Sequence, residues 1–420
     1  MSLLKILYNP LINLTFAILR KKLKNKYSEG YEERCGIISE KKLRKIGKEK
    51  PLWIHCVSVG EVQAAVPLIK AARDNSYTGP IIISTTTITG KLMAYNLAEN
   101  LFDLHIYYPW DKKDFVSKAL ETIKPWGFVA METELWPNML WELKKKNIPA
   151  FASNCRISDR TWKRLSSNII KVSGKELYES FTQICLREKR DEKRLIKLGI
   201  KKEKLHYVGD TKIDALRARR DETKTKELKK ELGLTTETVF TAGSLHIGED
   251  EEILKAYEHL PKSKQIKLIV VPRHPERAEK VKELFTQNYN AKLMSENDKN
   301  WDVLIVDKIG ILFDIYGIST TAFVGGSMVD KGGQNILEPI TWGIPIQFGI
   351  YMQDFAEASK ELLSIGIAKQ VHSSKELGEE WEKLLTKETQ KKYLTATKQY
   401  IDEQAGAGEK TWKIISKYTN

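Results

Sequence analysis

Cysteine is scarce: the 420 residues hold four, Cys35, Cys56, Cys155 and Cys185, with no C-x-x-C pair and no cluster with histidine. That excludes a disulfide framework and a structural zinc site, and it suits a reducing compartment. No G-x-x-x-x-G-K-[ST] is present, so the phosphate grip of a P-loop ATPase is missing, as are H-E-x-x-H and G-x-S-x-G. Asp-x-Asp occurs nowhere, which removes a common carboxylate hold on a metal–diphosphate. The sequence also lacks a signal peptide with a small-residue cleavage site and an apolar run of the roughly 20 residues that a membrane span takes. With 41% hydrophobic and 30% charged residues, it is not disordered, collagenous or of low complexity.

What is present points first to size and charge. A chain of 420 residues exceeds one ordinary core and suits two domains. Its formal charge is +14, and residues 1–50 carry 13 Lys/Arg against 5 Asp/Glu, so most of the surplus lies beside one segment. A nucleic-acid binder spreads such charge over a domain face, and no nucleic-acid partner is expected. The segment Leu3 to Leu19 is rich in Leu, Ile and Phe but interrupted by Lys5, Asn9, Pro10 and Asn13, and Arg20-Lys21-Lys22-Leu23-Lys24-Asn25-Lys26 follows. Short for a full span, it predicts a membrane anchor over residues 1–28, with apolar groups in the acyl boundary and cations on anionic headgroups; if it spans, the positive flank is cytoplasmic. A helix docked on the core with a solvated charged end fits the same pattern.

From residue 52 the chain alternates β-rich apolar runs with helical stretches. The runs are Leu52–Val57, Ile81–Thr85, Leu104–Tyr108, Phe128–Met131, Ala150–Ala152 and Thr182–Leu186, then Thr238–Ala242, Lys267–Val271, Val303–Val306, Thr321–Val324 and Ile344–Phe348. Runs buried on both faces and separated by helices predict parallel sheets of right-handed βαβ units. A charged, helix-prone stretch from Asp214 to Gly233 interrupts the rhythm. The predicted organisation is α/β: two doubly wound, Rossmann-like domains facing a central cleft. They are expected over residues 29–208 and 236–385, with a linker over 209–235 and helices over 386–420. Ligands of such sheets bind at the carboxyl ends of the strands.

Several strand ends carry chemistry. In Val57-Ser58-Val59-Gly60-Glu61 an apolar strand runs into a tight turn, and Glu61 opens the next helix. A carboxylate held there is a candidate base for an attacking hydroxyl, and it equally fits a helix start that satisfies the dipole. Met131-Glu132-Thr133-Glu134-Leu135-Trp136-Pro137 places two carboxylates after a buried strand. In an extended strand i and i+2 share a face, and buried acids need a positive or hydroxylated partner; simple helix-start acids fit as well. In the second half, loops with Ser244, with Pro272-Arg273-His274, with Ile309-Gly310-Ile311 and with Gly325-Gly326-Ser327 follow successive strands. Glycines admit a phosphate, helix amino termini point N–H groups at it, and Arg273 supplies a fork. Asn335-Ile336-Leu337-Glu338 then opens a helix; Glu338 is placed to accept both hydroxyls of a ribose, or the pair merely closes the helix end. Jointly these loops predict a nucleotide site.

These residues together resemble the bacterial Kdo transferases, which move 3-deoxy-D-manno-octulosonic acid (Kdo) from CMP-Kdo to the lipid A precursor. The matching stretches are Ser58 to Glu61, Met131 to Asn138, Gly209-Asp210-Thr211-Lys212, Val271 to Arg277, and Phe323 to Ser327 with Asn335 to Glu338. The resemblance implies a GT-B fold and inverting transfer to the 6′-hydroxyl of lipid IVA, without metal or cofactor. It implies as partners CMP-Kdo, the membrane-embedded acceptor and the cytoplasmic face of the inner membrane. By position, Glu61 matches the family's general base, and Glu132 and Lys212 match residues assigned to the transition state. Pro272, Arg273, Ile309 to Ile311 and Asn335 to Glu338 match its CMP-contacting segments, with Ser244, His274 and Gly326 beside them. Gln334 departs from the family, where many relatives carry His, and Ile311 stands where relatives carry a polar residue.

Overall fold

The structure, a computed structural model, describes residues 3–132, 134–263 and 265–419. The chain forms two compact units: residues 1–215 with 404–420, and residues 216–403.

In the first unit the apolar runs become β1 (Leu52–Cys56), β2 (Ile81–Thr85), β3 (Leu104–Tyr107), β4 (Gly127–Met131), β5 (Ala150–Cys155), β6 (Gln183–Leu186) and β7 (Leu205–Tyr207). All pair in parallel, in the order β3-β2-β1-β4-β5-β6-β7. The pleat sorts the buried residues by face. Leu52, Ile54, Val129 and Met131 join one core cluster, while Trp53, Phe128 and Ala130 join the other. Fully burying one such large side chain contributes about 1.5–3 kcal/mol. The chain builds outward from β1 to β3, then crosses to β4 and builds the other way, so β1 and β4 flank the topological switch point.

Helix Val59–Asp74 covers one face, and helix Ala407–Ile415 returns to the same face with Trp412 and Ile415 in the shared core. The two helices meet where a side chain would not fit: a Cβ on Gly408 would stand 2.6 Å from the Pro67 carbonyl oxygen.

The amino-terminal segment is one helix, Leu3–Lys26, with Pro10 inside it. The expectation of a helix docked on the core describes one side of it. One side docks: Leu4 and Tyr8 pack on the core, and Phe16 meets Trp110 and Phe115 at centroid distances of 5.5 and 5.0 Å. The other leaves Leu7, Leu11, Leu14 and Ile18 uncovered, a stripe at helical spacing that is 58–71% exposed. Among the described residues no helix is long and apolar enough to cross a membrane.

The second unit holds β8 (Thr238–Leu245), β9 (Ile266–Pro272), β10 (Ala291–Leu293), β11 (Val303–Ile305), β12 (Thr321–Val324), β13 (Ile346–Phe348) and β14 (Ala368–Gln370). They too are parallel, ordered β10-β11-β9-β8-β12-β13-β14, with the switch point between β8 and β12. Phe240 and Trp381, stacked 5.1 Å apart, centre its larger core. β7, β10 and β14 have no counterpart among the runs read from the sequence. The stretch from Asp214 to Gly233 is helical, as Thr211–Arg219 and Glu222–Glu231.

Candidate active site

The β1–β4 switch point of the first unit gathers acids around one lysine. β1 ends in a turn in which Ser58 caps helix Val59–Asp74, accepting from Glu61 N at 3.4 Å. Glu61 reaches back to accept from Val57 N at 2.6 Å, one residue before the cap, so the turn and the helix start hold each other. The helix-start role read for Glu61 is therefore real, and it also fixes the carboxylate at the strand end, where the side chain is buried. Burial foremost pushes the Glu61 pKa up to about 8; Glu134 and Glu132 add to the rise, while the Val57 amide and Lys212 oppose it.

Glu132 does not share a strand face with Glu134. β4 stops at Met131, and Glu132 lies in the left-handed region with φ +56°, so alternation no longer applies. The turn aims Glu132 at Lys212, whose Nζ lies 2.5 Å from Glu132 Oε1. Lys212 also stands beside the Glu61 turn, with Nζ 3.8 Å from where a Gly60 Cβ would be. Glu134 remains close, and burial together with the Glu132 charge raises its pKa to about 7. His55, nearest in the sequence to this turn, is a core histidine. It stacks on Tyr108 at 3.5 Å, its Nδ1 meets Ser84 Oγ at 3.0 Å, and burial holds its pKa down at about 3.

In the second unit every candidate residue lies at the carboxyl edge of the sheet. Ser244, next to last in β8, has φ +58°, and a Cβ on Gly325, just after β12, would stand 2.5 Å from its carbonyl oxygen. The two chains meet there only because Gly325 has no side chain. Pro272 ends β9, Arg273 N donates to Leu245 O at 2.9 Å, and the side chains of Arg273 and His274 are exposed. Ile309 is 88% exposed, Gly310 has φ +87°, and Ile311 precedes the short helix Leu312–Tyr316. Asn335 Oδ1 accepts from Leu337 N at 3.1 Å and its amide meets Glu338 at 3.4 Å, so the helix-closing role is present here as well. Ile336 and Leu337 are buried in the core and present only main chain. Arg219 lies 3.7 Å from Glu338, whose pKa burial raises.

The sequence missed Glu249, a fully buried carboxylate that occupies the glycine turn. It accepts from His246 N at 2.9 Å, Gly326 N at 2.7 Å, Ser327 N at 3.0 Å and Met328 N at 2.9 Å. The turn's amides, expected to be free for phosphate, are thus already paired. Basic side chains sit at the rim instead. Arg273, His274 and Lys331 surround His246, and with burial as the larger cause they hold its pKa below the ordinary value. Among the described residues no three His, Cys, Asp or Glu side chains group as a metal site.

Two doubly wound parallel sheets, each with its polar loops gathered at the carboxyl edge, define a two-domain α/β protein of the GT-B class. UDP-GlcNAc 2-epimerase from Neisseria meningitidis shares that fold, with a TM-score of 0.60 over 88% of this chain and 99% of that one at 17% identity. The family described as 3-deoxy-D-manno-octulosonic-acid transferase (kdotransferase) matches residues 29–215. The 3-deoxy-D-manno-octulosonic acid transferase of Haemophilus influenzae is 32% identical over 380 residues, 87% of each chain. A bifunctional glycosyltransferase/methyltransferase of Fusobacterium nucleatum is 33% identical over 377 residues, 88% of this chain, which spans 57% of that relative's length. The chain belongs to the 3-deoxy-D-manno-octulosonic acid transferase family.

Proposed function

We propose that this protein transfers Kdo from CMP-Kdo to the 6′-hydroxyl of the lipid A precursor, lipid IVA, with inversion and without a metal. The observation that carries the reading is the gathering of Glu61, Glu132 and Lys212 at the β1–β4 switch point in a chain of this family. Glu61 is the general base. Burial keeps its proton affinity near that of a hydroxyl-activating group at neutral pH, where such a base is most effective. It takes the proton of the attacking hydroxyl, which approaches the anomeric carbon opposite to the departing CMP. As that carbon–oxygen bond breaks, negative charge grows on the CMP phosphate. Lys212 neutralises it, and groups aimed at developing charge usually give the largest catalytic effect. Glu132 holds the lysine in place.

CMP is held by the second unit, through main chain at Pro272, Ile309 to Ile311 and Asn335 to Leu337, with Glu338 on the ribose. Arg273, beside His274 and the Ser244 and Gly326 turns, meets the anionic groups of the donor. The protein works at the cytoplasmic face of the inner membrane, a reading supported by the exposed stripe of helix Leu3–Lys26 and the exposed cations from Arg20 to Lys26. Incubation with CMP-Kdo and a tetra-acylated lipid A precursor, followed by weighing of the products, tests the reading. Release of CMP with addition of Kdo to the acceptor supports it; no mass gain with CMP-Kdo, or a gain with a UDP- or GDP-sugar, overturns it.

A further inference from the structure

Two consecutive residues at the end of β5 hold both partners of the Lys212–Glu132 pair. Ser153 O accepts from Glu132 N at 2.8 Å, and Asn154 Oδ1 accepts from Thr211 N at 3.1 Å. Thr211 opens the helix that carries Lys212, and its N–H is one of the first-turn donors that no helix satisfies internally. The neighbouring donor, Lys212 N, is taken by Asp210 Oδ1 at 2.8 Å.

Asn154 is bent to this task. It is fully buried, its φ is +53°, and the pairing of β5 with β6 shifts register between Ala152 and Cys155. An irregularity of this kind re-aims a side chain at a sheet end. A left-handed non-glycine residue costs of the order of 1–3 kcal/mol and persists where the surroundings over-determine it. Around it Asn154 Nδ2, Ser153 Oγ and Thr211 Oγ1 are buried with no partner among the described residues, which is not what an arrangement for stability alone would leave.

We infer that Asn154 is a positioning residue for transfer: by anchoring the first turn of the Thr211–Arg219 helix, its side-chain oxygen keeps the Lys212 ammonium on Glu132. The inference rests on the roles proposed above for Lys212 and Glu132. Without that acceptor the buried Thr211 amide is left unpaired, and the first turn shifts to find another partner, carrying Lys212 with it.

The test is a double-mutant cycle on transfer from CMP-Kdo to the tetra-acylated precursor. Asn154→Gly keeps the left-handed backbone and removes the amide, whereas Asn154→Asp keeps an acceptor oxygen. Asn154→Gly is expected to lower kcat about 100-fold while KM for CMP-Kdo stays within about twofold, the signature of a misplaced group rather than lost binding. Asn154→Asp is expected to restore kcat to within about fivefold of the wild type, and Asn154→Gly to cost nothing further in a Lys212→Met background, since coupled residues are not additive. Asn154→Ser takes the place of the glycine variant in the same cycle if that variant does not fold. A glycine or serine variant that keeps wild-type kcat overturns the inference, and so does an equal fold-loss with and without Lys212. A wild-type protein that transfers no Kdo removes the underlying reading instead, and that control separates the two failures.

Discussion

Tyr8, on the amino-terminal helix, donates to Asp111 at 2.9 Å, and the same carboxylate receives Asn138 N at 3.0 Å and Met139 N at 2.9 Å. Asp111 thereby caps the Pro137–Lys145 helix, whose own start has no side-chain cap, and ties it to the amino-terminal helix.

Burial raises the Asp111 pKa to about 7 against the pull of these three donors. For an acid shifted upward, the stabilising contribution is complete below the unfolded value of about 3.9 and is lost as pH rises through about 7. The wild type is expected to melt at a higher temperature at pH 5 than at pH 8. Asp111→Asn should narrow that gap without closing it, because burial raises Glu61 and Glu134 too. Scanning calorimetry at the two values decides it; an unchanged gap contradicts the assignment.

A base with a proton affinity this high gives activity a rising acid limb. In the free enzyme kcat/KM should climb with pH and level off above about 8. Glu61→Gln is expected to remove about 10²–10⁴-fold of turnover and to leave CMP affinity unchanged. Retained turnover in that variant would falsify the role of Glu61.

Arg273→Ala should weaken CMP binding about tenfold, in keeping with one hydrogen bond from a charged donor. Isothermal calorimetry with CMP alone measures it. Equal affinity in variant and wild type removes Arg273 from the anion site.

Glu249→Gln sets an amide NH₂ against backbone N–H groups in a closed turn. Each unsatisfied buried group costs about 1–3 kcal/mol, and a unit of this size loses about 2–4 °C per kcal/mol. A fall of several degrees is expected by calorimetry. No change would mean that the turn does not depend on the carboxylate.

Leu11→Glu, in the middle of the exposed stripe, should reduce co-sedimentation with vesicles rich in anionic lipid and leave melting unchanged, since Leu11 is 62% exposed. Binding equal to the wild type argues against the stripe as the contact.

Much of this was legible in the residues. Strands buried on both faces announce themselves as apolar runs, so Ile81–Thr85 and Thr321–Val324 match their strands residue for residue. Three of the four edge strands did not, because β7, β10 and β14 are three residues each and partly polar, with His206, Lys292 and Lys369 inside them. Glu61 and Lys212 stood out by their position after strands or in a motif. What stayed hidden were pairings between distant segments. Nothing near Gly326 betrays that Glu249 fills its turn, and Asn154 reads as ordinary strand end until its φ and its bond to Thr211 are known. The face-sharing expected of Glu132 and Glu134 failed for a local reason: one left-handed residue ends the alternation.

Trp412 and Ile415, made after the whole of the second unit, complete the packing on the first unit's sheet beside Val62 and Leu68. At a synthesis rate of roughly 5–20 residues per second, the intervening stretch from Leu216 to Glu403 delays them by roughly 10–40 s. Throughout that interval one face of the nascent sheet lacks its final cover. The half of the molecule that emerges first from the ribosome therefore receives its last helix only after the other half has been made.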